Sequence, residues 1–416
     1  MHYRVWFSTE GFADYIVNHT TLKDKNVVKS YLYESDAAKP AYFHTMPDHI
    51  RKILYLDAPD IIVELNNEPI FAIEISTEAG TGHNAFQRFS RIAAAVENSV
   101  PIFYIYPEAT IVQREASVKW DVINPLIFKA LDQVMNIYDI PALLYYFPSD
   151  FKQFASNPTE SPSYKQNKKG LRYDDDFAYC DCPCSKDEEM NEMFNAISLL
   201  IECVESEGVL SARKKILKRL PFRERRGVMQ KEFARLSNDK QEVEMSPLTA
   251  TQLLPTEYLL NYLSQFEDKS YQIGELLKNR KESIFYQVDA KFRGDPYAGA
   301  IAAIDYLACR EGKTFEERGR NVVLVLGKLN VNHKEKTFDV VNSKNASIND
   351  FFKDVKQTER HNLLTRDYSA LKNREIPRYF MQVRYGSTYS KVKHIRVFSY
   401  FADAILFPDG SLWRDN

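Results

Sequence analysis

The sequence predicts an α/β protein, because strand-like and helix-like segments follow one another along the chain. Residues 61–65 and 69–75 are apolar runs of strand length, and the polar residues between them are typical of a turn. The next segment has apolar residues at helical spacing. These are Phe86, Phe89, Ala93 and Val96. Residues 100–107 then form an apolar run without alternation, which is typical of a strand covered on both faces.

The domain organisation follows from length and from changes in pattern. A chain of 416 residues suits two or three domains. We predict an N-terminal lobe at residues 1–155, closed by another helix at 125–148. Residues 156–250 are predicted to be a linker and a helical basic segment, because residues 156–188 are polar and lack periodicity. A second, similar α/β lobe is predicted at 251–416, where a strand, a helix and a strand recur.

Composition limits the classes of partner. The chain has 55 Lys and Arg against 57 Asp and Glu, with a net charge of −2, so a nucleic-acid-binding surface requires local clustering. We expect a cytoplasmic protein without membrane contact, because no apolar run would cross a bilayer and no signal-peptide pattern opens the chain. Five cysteines favour a reducing compartment. Cys180, Cys182 and Cys184 favour free thiols over a zinc site, since their spacing is not CxxC.

Two acids flank the predicted hairpin. Asp60 follows Pro59 at the start of the first strand, and Glu74 lies fourteen residues later at the end of the second. Such positions lie side by side in an antiparallel pair. Alternation places Glu74 and Ser76 on one face and Ile75 on the core face. Mg²⁺ binds one or two carboxylates while keeping waters and phosphate oxygens. The hairpin therefore predicts a Mg²⁺ site at Asp60 and Glu74.

The order Pro59, Asp60 and Glu74 resembles the motif of the PD-(D/E)XK nuclease superfamily, whose members include most type II restriction endonucleases. The resemblance implies a mixed-sheet, restriction-endonuclease-like core and Mg²⁺-dependent hydrolysis of phosphodiester bonds. Ser76 stands where the family has a lysine. Activity in this lobe therefore needs a substitute for that charge.

Nearby polar residues are candidates for this substitute. Glu78 could be a general base or a further ligand. Gln87 and the basic residues Arg88 and Arg91 lie on a helix that contributes such residues to the site in the family. Gln87 has an alternative role in helix capping with Asn84 as the N-cap. His83 is expected to be an exposed loop residue.

The second lobe contains a complete D-x-K in Asp289 and Lys291. This element resembles the corresponding strand of restriction-type nucleases, with Asp289 as a metal ligand. Counting back fourteen residues gives Glu275 as the upstream acid. Glu267 and Asp268 are alternatives.

Two basic segments are the candidates for DNA contacts. Residues 213–226 carry eight basic residues and one acid, and residues 378–398 carry no acid. The alternatives are a solvated helix face and a basic hairpin of no particular function. With the helix arginines Arg88 and Arg91, the candidates are Arg213, Lys214, Lys215, Lys218, Arg219, Arg384, Lys391 and Lys393.

We expect a Mg²⁺-dependent endonuclease of the type II restriction kind that cuts double-stranded DNA at a specific sequence. Cutting both strands requires two centres, supplied by a homodimer or by a monomer with two lobes acting as a pseudo-dimer. The alternatives are a DNA-binding module with a degenerate nuclease fold, and a nuclease for repair, transposition or RNA. The absence of a Walker motif argues against an ATP-driven motor.

Overall fold

The computed structural model divides the chain into two compact units, Met1–Met245 and Ser246–Asn416. Each unit is built on its own mixed β-sheet. The structure describes residues 1–32, 46–77, 84–114, 117–238, 250–265, 275–288, 294–314, 317–341, 397–398, 400–406 and 412–414.

The strands of the first unit are β1 (Tyr3–Phe7), β2 (Val27–Tyr31), β3 (Ile61–Leu65), β4 (Glu68–Ile75), β5 (Ile102–Pro107), β6 (Ala109–Arg114), β7 (Ser117–Val122) and β8 (Ala142–Phe147). Six of them form a sheet in the order β2-β1-β3-β4-β5-β8. Strand β3 pairs antiparallel with β1 and β4, whereas β4, β5 and β8 run parallel. Strands β6 and β7 form a separate antiparallel pair.

Helices cover this sheet and bury β3, β5 and β8 along their whole length. The helices are α1 (Glu10–His19), α2 (Asp48–Leu54), α3 (Asn84–Gln87), α4 (Phe89–Glu97), α5 (Leu126–Tyr138), α6 (Phe151–Phe154), α7 (Pro162–Asn167), α8 (Glu188–Glu207), α9 (Val209–Lys215) and α10 (Leu220–Asn238). Short 3₁₀ turns occur at Thr21–Asp24, Pro158–Glu160, Phe177–Tyr179 and Ile216–Lys218. Within the described ranges, no helix has both the length and the apolar character that a membrane span requires.

The prediction of an α/β protein is confirmed, and so are the paired strands β3 and β4. All four apolar positions predicted for the following helix are buried. The prediction of one helix across 125–148 was wrong, because α5 ends at Tyr138 and β8 follows. Strand β8 is buried on both faces, so its apolar run has no alternation that distinguishes it from a buried helix.

The predicted middle segment lies in the first unit as far as residue 245. Helices α8 and α10 both pack on β8, so the helical part of the predicted middle segment belongs to the body around the six-stranded sheet. Residues 156–188 contain the short helix α7 and two isolated β-bridges, Ser149 to Leu171 and Tyr173 to Pro183.

The strands of the second unit are β9 (Thr251–Pro255), β10 (Glu282–Gln287), β11 (Arg320–Val325), β12 (Lys328–Asn332), β13 (Thr337–Val341), β14 (Ala404–Leu406) and β15 (Leu412–Arg414). Five of them form a sheet in the order β15-β14-β11-β10-β9. Strands β12 and β13 form a separate antiparallel pair. The helices are α11 (Thr256–Ser264), α12 (Glu275–Asn279) and α13 (Gly294–Ile304), which continues into a π-helix at Asp305–Arg310.

The two sheets share a sequence of pairings. In the first unit β3 and β4 are antiparallel, and β5 and β8 then follow in parallel. In the second unit β9 and β10 are antiparallel, and β11 and β14 then follow in parallel. Helix α4 precedes β5 as α13 precedes β11, and a separate two-stranded pair comes after each of these strands. The similarity of the two halves is therefore present in their strand order.

Gly170 fixes the loop after α7, and its replacement should destabilise the first unit. Its φ is +74°, and a Cβ would lie 2.4 Å from Cη2 of Trp120. We expect Gly170→Ala to lower the free energy of unfolding by at least about 2 kcal/mol, through backbone strain and overpacking. Gly227→Ala is the control, because it lies in α10 with open space around it. The control should gain about 0.5–1 kcal/mol. Equal effects in urea unfolding would contradict this account of Gly170.

The second unit contains a buried ion cluster. The Asp305 carboxylate binds Nε of Arg310 at 2.7 Å and Nε of Arg318 at 3.1 Å, and all three side chains are fully buried. Asp305→Ala would leave two buried guanidinium groups without this partner. We expect a loss of about 3–5 kcal/mol in the free energy of unfolding. The exposed pair Lys336 and Glu257 offers a control, since Glu257→Ala should cost less than about 1 kcal/mol. A similar loss in both variants would argue against the cluster.

Candidate functional site

The first unit has a cleft of about 350 Å³ at the ends of strands β1, β3 and β4 of its sheet. It is lined by the junction of β1 and α1, the start of β3, the end of β4, the side chain of Arg88 and residues 180–182. A cleft of this size is typical of a ligand site. It contains Asp60 and Ser76, two of the positions that the sequence motif singles out.

Asp60 lines the cleft at the start of β3 and is held from both neighbouring strands. Its Oδ1 accepts a hydrogen bond from the Ser8 hydroxyl at 3.1 Å, and its Oδ2 accepts one from the Ile75 N–H at 3.0 Å. The Ser8 N–H also donates to the Asp60 carbonyl at 2.9 Å. The carboxylate is half-buried and fixed in direction, because strands β1 and β4 both contact it.

Glu74 lies near Asp60 but binds protein partners. Its side chain is fully buried, and its two oxygens accept hydrogen bonds from Nη1 of Arg91 at 2.9 and 3.0 Å. Nε of Arg88 lies 3.4 Å from Oε1. Burial raises the pKa of Glu74 to about 8, against the opposing effect of Arg91 and with a further rise from the charge of Asp60. Glu74 therefore gains a proton more readily than an exposed glutamate.

Arg91 connects Glu74 to a second acid. Its Nε donates to Oδ2 of Asp57 at 2.7 Å, and the residue is 6% exposed. The prediction placed Arg91 away from the apolar stripe and among the DNA-binding residues. Helix α4 is instead buried on nearly every face. The guanidinium of Arg91 donates to Asp57 and Glu74 inside the protein. A phosphate bound at the surface of the protein would therefore not reach Arg91.

The face predicted for the end of β4 was wrong in part. Ile75 lines the cleft instead of pointing into the core, whereas Glu74 is buried. Ser76 also lines the cleft. Strand β4 ends at Ile75, so the alternation of side chains does not extend to Ser76.

Two carboxylates line the cleft, those of Asp60 and Asp181, and Asp60 is the one that the sequence motif singles out. Each oxygen of Asp60 accepts one hydrogen bond from the protein and keeps a second lone pair. Glu74 could join it only by exchanging Arg91 for the ion. Among the described residues, no group of three or more acidic, histidine or cysteine side chains could hold a metal. Asp60 fits the requirement of Mg²⁺ for one or two carboxylates with water and phosphate oxygens.

Residues 180–182 form one wall of the cleft. Cys180 and Cys182 line it, and neither forms a disulfide. Burial raises the pKa of the Cys182 thiol to about 12, and Asp174 and Asp181 add to this rise. A protonated thiol is a poor nucleophile. Cys182 therefore shapes the wall without chemistry of its own.

The basic residues of the middle segment differ in accessibility. Arg213 is buried, and burial lowers its pKa to about 10. Lys215 lies 3.6 Å from Glu207, and Arg219 pairs with the same carboxylate. Lys214 and Lys218 are exposed. The candidate surface is thus smaller than the eight basic residues of 213–226 indicate.

The remaining candidates have less structural context. Gln87 ends α3 and is half-exposed, and Glu275 begins α12. The other predicted residues lie outside the described residues; these are Glu78, His83, Glu267, Asp268, Asp289, Lys291, Arg384, Lys391 and Lys393.

Several residues beside the cleft escaped the sequence reasoning. Ser8 donates a hydrogen bond to Asp60, and Asp57 accepts one from Arg91. Lys169 donates from Nζ to Oγ1 of Thr77, a cleft residue, at 3.3 Å. Asp57 could have been noticed as an acid three residues before Asp60, but no local signal connects Lys169 with Thr77.

The chain was compared with family models, curated proteins and solved structures, and none of them matches it. The geometry of the cleft therefore carries the functional argument.

The raised pKa of Glu74 has a consequence for stability. Its folded-state pKa lies above the ordinary value of 4.5, so this group takes up a proton on folding between pH 4.5 and 8. Its contribution is fully present below pH 4.5 and is lost as pH rises through 8. We expect the wild-type free energy of unfolding to fall relative to that of Glu74→Gln across this range. Urea unfolding without divalent cations measures this difference in free energy. Glu68→Gln, at the exposed start of β4, is the control. If the free energies of unfolding of the wild type and Glu74→Gln changed in parallel with pH, proton uptake by Glu74 on folding would be ruled out.

Proposed function

We propose that the protein is a Mg²⁺-dependent endonuclease that cuts double-stranded DNA at a specific sequence, of the type II restriction kind. The observation that carries this proposal is the position of Asp60, which lines the cleft while β1 and β4 hold its carboxylate. The order β1-β3-β4-β5, with two antiparallel pairings and then a parallel one, supports a restriction-endonuclease-like core for the first unit.

Phosphodiester hydrolysis forms a bond from a water oxygen to phosphorus and breaks the bond to the leaving sugar oxygen. The water gives up a proton, and the leaving oxygen takes one. When bound, Mg²⁺ would activate the water and offset the negative charge of the phosphate. Asp60 would hold the ion in a direction set by Ser8 and Ile75. Arg88 would place a guanidinium on the same cleft, facing the phosphate.

Glu74 would act on the cleft mainly through its charge. Burial is the main cause of its raised pKa, and the charge of Asp60 adds to the rise. Loss of its proton would make the potential at Asp60 more negative and favour a cation there. Arg91 holds Glu74 in place behind the cleft.

The partner in this proposal is duplex DNA. Lys214 and Lys218 are exposed on the first unit and suit contacts to its phosphates. Two centres are needed to cut two strands, and either a homodimer or the second unit would supply the other centre. The shared strand order of the two sheets supports the second unit as that source, with Asp289, Lys291 and Glu275 as its candidates.

A DNA-binding module without catalysis is the second candidate function. Two observations favour it: Arg91 occupies both oxygens of Glu74, and a serine stands at position 76. A nuclease acting in repair, transposition or on RNA would have the same cleft and a different substrate.

Incubation with a long DNA of mixed sequence separates these functions. We expect discrete fragments with Mg²⁺ and none without it. A smear would indicate a nuclease without sequence specificity. Intact DNA of retarded mobility would contradict the nuclease proposal and favour the binding module. A matched RNA of mixed sequence tests the remaining alternative.

Asp60→Asn should reduce cutting by at least about 100-fold while leaving DNA binding intact, because the variant removes the charge that holds the ion. Asp175→Asn, at an exposed position, serves as the control and should cut at the wild-type rate. Ser8→Ala should have a smaller effect, since the Ile75 N–H still holds Asp60. Fragment yields and mobility shifts measure cutting and binding.

Asp289→Ala assigns the second unit. Loss of cutting in this variant alone would move the centre to the second unit, and a variant that only nicks would indicate one centre per strand. Full cutting in both Asp60→Asn and Asp289→Ala would remove the site assignment.

A further inference from the structure

The proposed hydrolysis needs a positive charge near the end of β4, where Ser76 offers only a hydroxyl. Thr77 follows Ser76 and also lines the cleft. The Lys169 ammonium donates a hydrogen bond to Oγ1 of Thr77 at 3.3 Å. Lys169 is 92 residues away in the chain, so the fold brings this ammonium to the rim of the cleft.

The backbone of Lys169 is held firmly. Its carbonyl accepts a hydrogen bond from the Ile111 N–H at 2.8 Å, and its N–H donates to Oδ1 of Asn167 at 2.9 Å. The next residue, Gly170, packs against the ring of Trp120, where no Cβ would fit. An anchored backbone limits the positions that the ammonium can reach. The charge is therefore organised before a substrate arrives.

The charge at Lys169 is also less offset than that of the other cation on the cleft. Arg88 lies 3.4 Å from the buried carboxylate of Glu74, which counters its charge. The hydrogen-bond acceptor of Lys169 is instead a neutral hydroxyl. Lys169 is thus available to an anion in the cleft.

We propose that Lys169 binds the phosphate in the cleft and supplies the positive charge that position 76 lacks. The inference rests on the proposed nuclease function and deepens it by naming a catalytic residue. The ammonium donates to a non-bridging phosphate oxygen, whose negative charge grows as the water oxygen approaches phosphorus. An organised charge at that point stabilises the transition state more than the bound substrate. Thr77 holds the ammonium at the rim until the phosphate is bound.

Lys169→Met tests this role and has a close control. Lys168 is the preceding residue, and its ammonium lies over the ring of Tyr164 instead of at Thr77. We expect Lys169→Met to reduce kcat for cutting by about 100-fold and to weaken DNA binding by much less. Lys168→Met should cut at the wild-type rate. Thermal unfolding of both variants checks that each remains folded.

Rescue separates a catalytic charge from a structural contact. The double variant Lys169→Met with Ser76→Lys should regain much of the lost cutting, because it returns an ammonium to the end of β4. Thr77→Val removes the hydrogen bond but keeps the charge, so it should retain most activity. A structural role of Lys169 at Thr77 predicts the opposite for both variants.

The outcomes distinguish this inference from the proposed function. Cutting by Lys169→Met at the wild-type rate, together with loss of cutting in Asp60→Asn, would overturn the role of Lys169 and leave the nuclease in place. Loss of activity in Lys169→Met without rescue by Ser76→Lys, and equal loss in Thr77→Val, would also overturn it. A wild-type protein that binds DNA but cuts none with Mg²⁺ would remove the nuclease and the role of Lys169 together.

Discussion

The hydrogen bond from the Ile75 N–H to Asp60 sets the geometry of the cleft, because it ties the start of β3 to the end of β4. It depends on the register that pairs Ile61 with Ile73. A slip of one residue would turn each side chain of the strand to the other face. Ser8 adds a second bond from β1, on the opposite side of β3. The acid at the start of β3 is thus fixed from the two strands beside it, and the rest of the proposed chemistry depends on its direction.

Arg91 imposes the second constraint, since one guanidinium bridges two buried carboxylates. Removing charges from water is costly, and the cluster is stable because each group has a partner. The same arrangement separates the roles of the two motif acids. Asp60 lines the cleft, whereas Glu74 stays behind it with a raised pKa. The two carboxylates therefore meet different environments although the sequence motif presents them as a pair.

The sequence predicted the features that local patterns encode. The apolar runs and the turn residues between them identified β3 and β4, and these strands place Asp60 and Ile75 together. The direction of Glu74 could not be predicted, because it depends on Arg91, and a charged residue off the apolar stripe appears exposed on a helical projection. Lys169 was missed for a related reason. It lies in a polar stretch without periodicity, and only the fold brings it to Thr77.

Anomalous diffraction from crystals of the wild type and of Asp60→Asn, soaked in Mn²⁺ as a substitute for Mg²⁺, tests the central claim most directly. The account predicts a peak in the wild-type cleft about 2.1 Å from a carboxylate oxygen of Asp60, and no such peak in the variant. A wild-type cleft without an ion, in which Asp60 binds only Ser8 and Ile75 at saturating Mn²⁺, would contradict it.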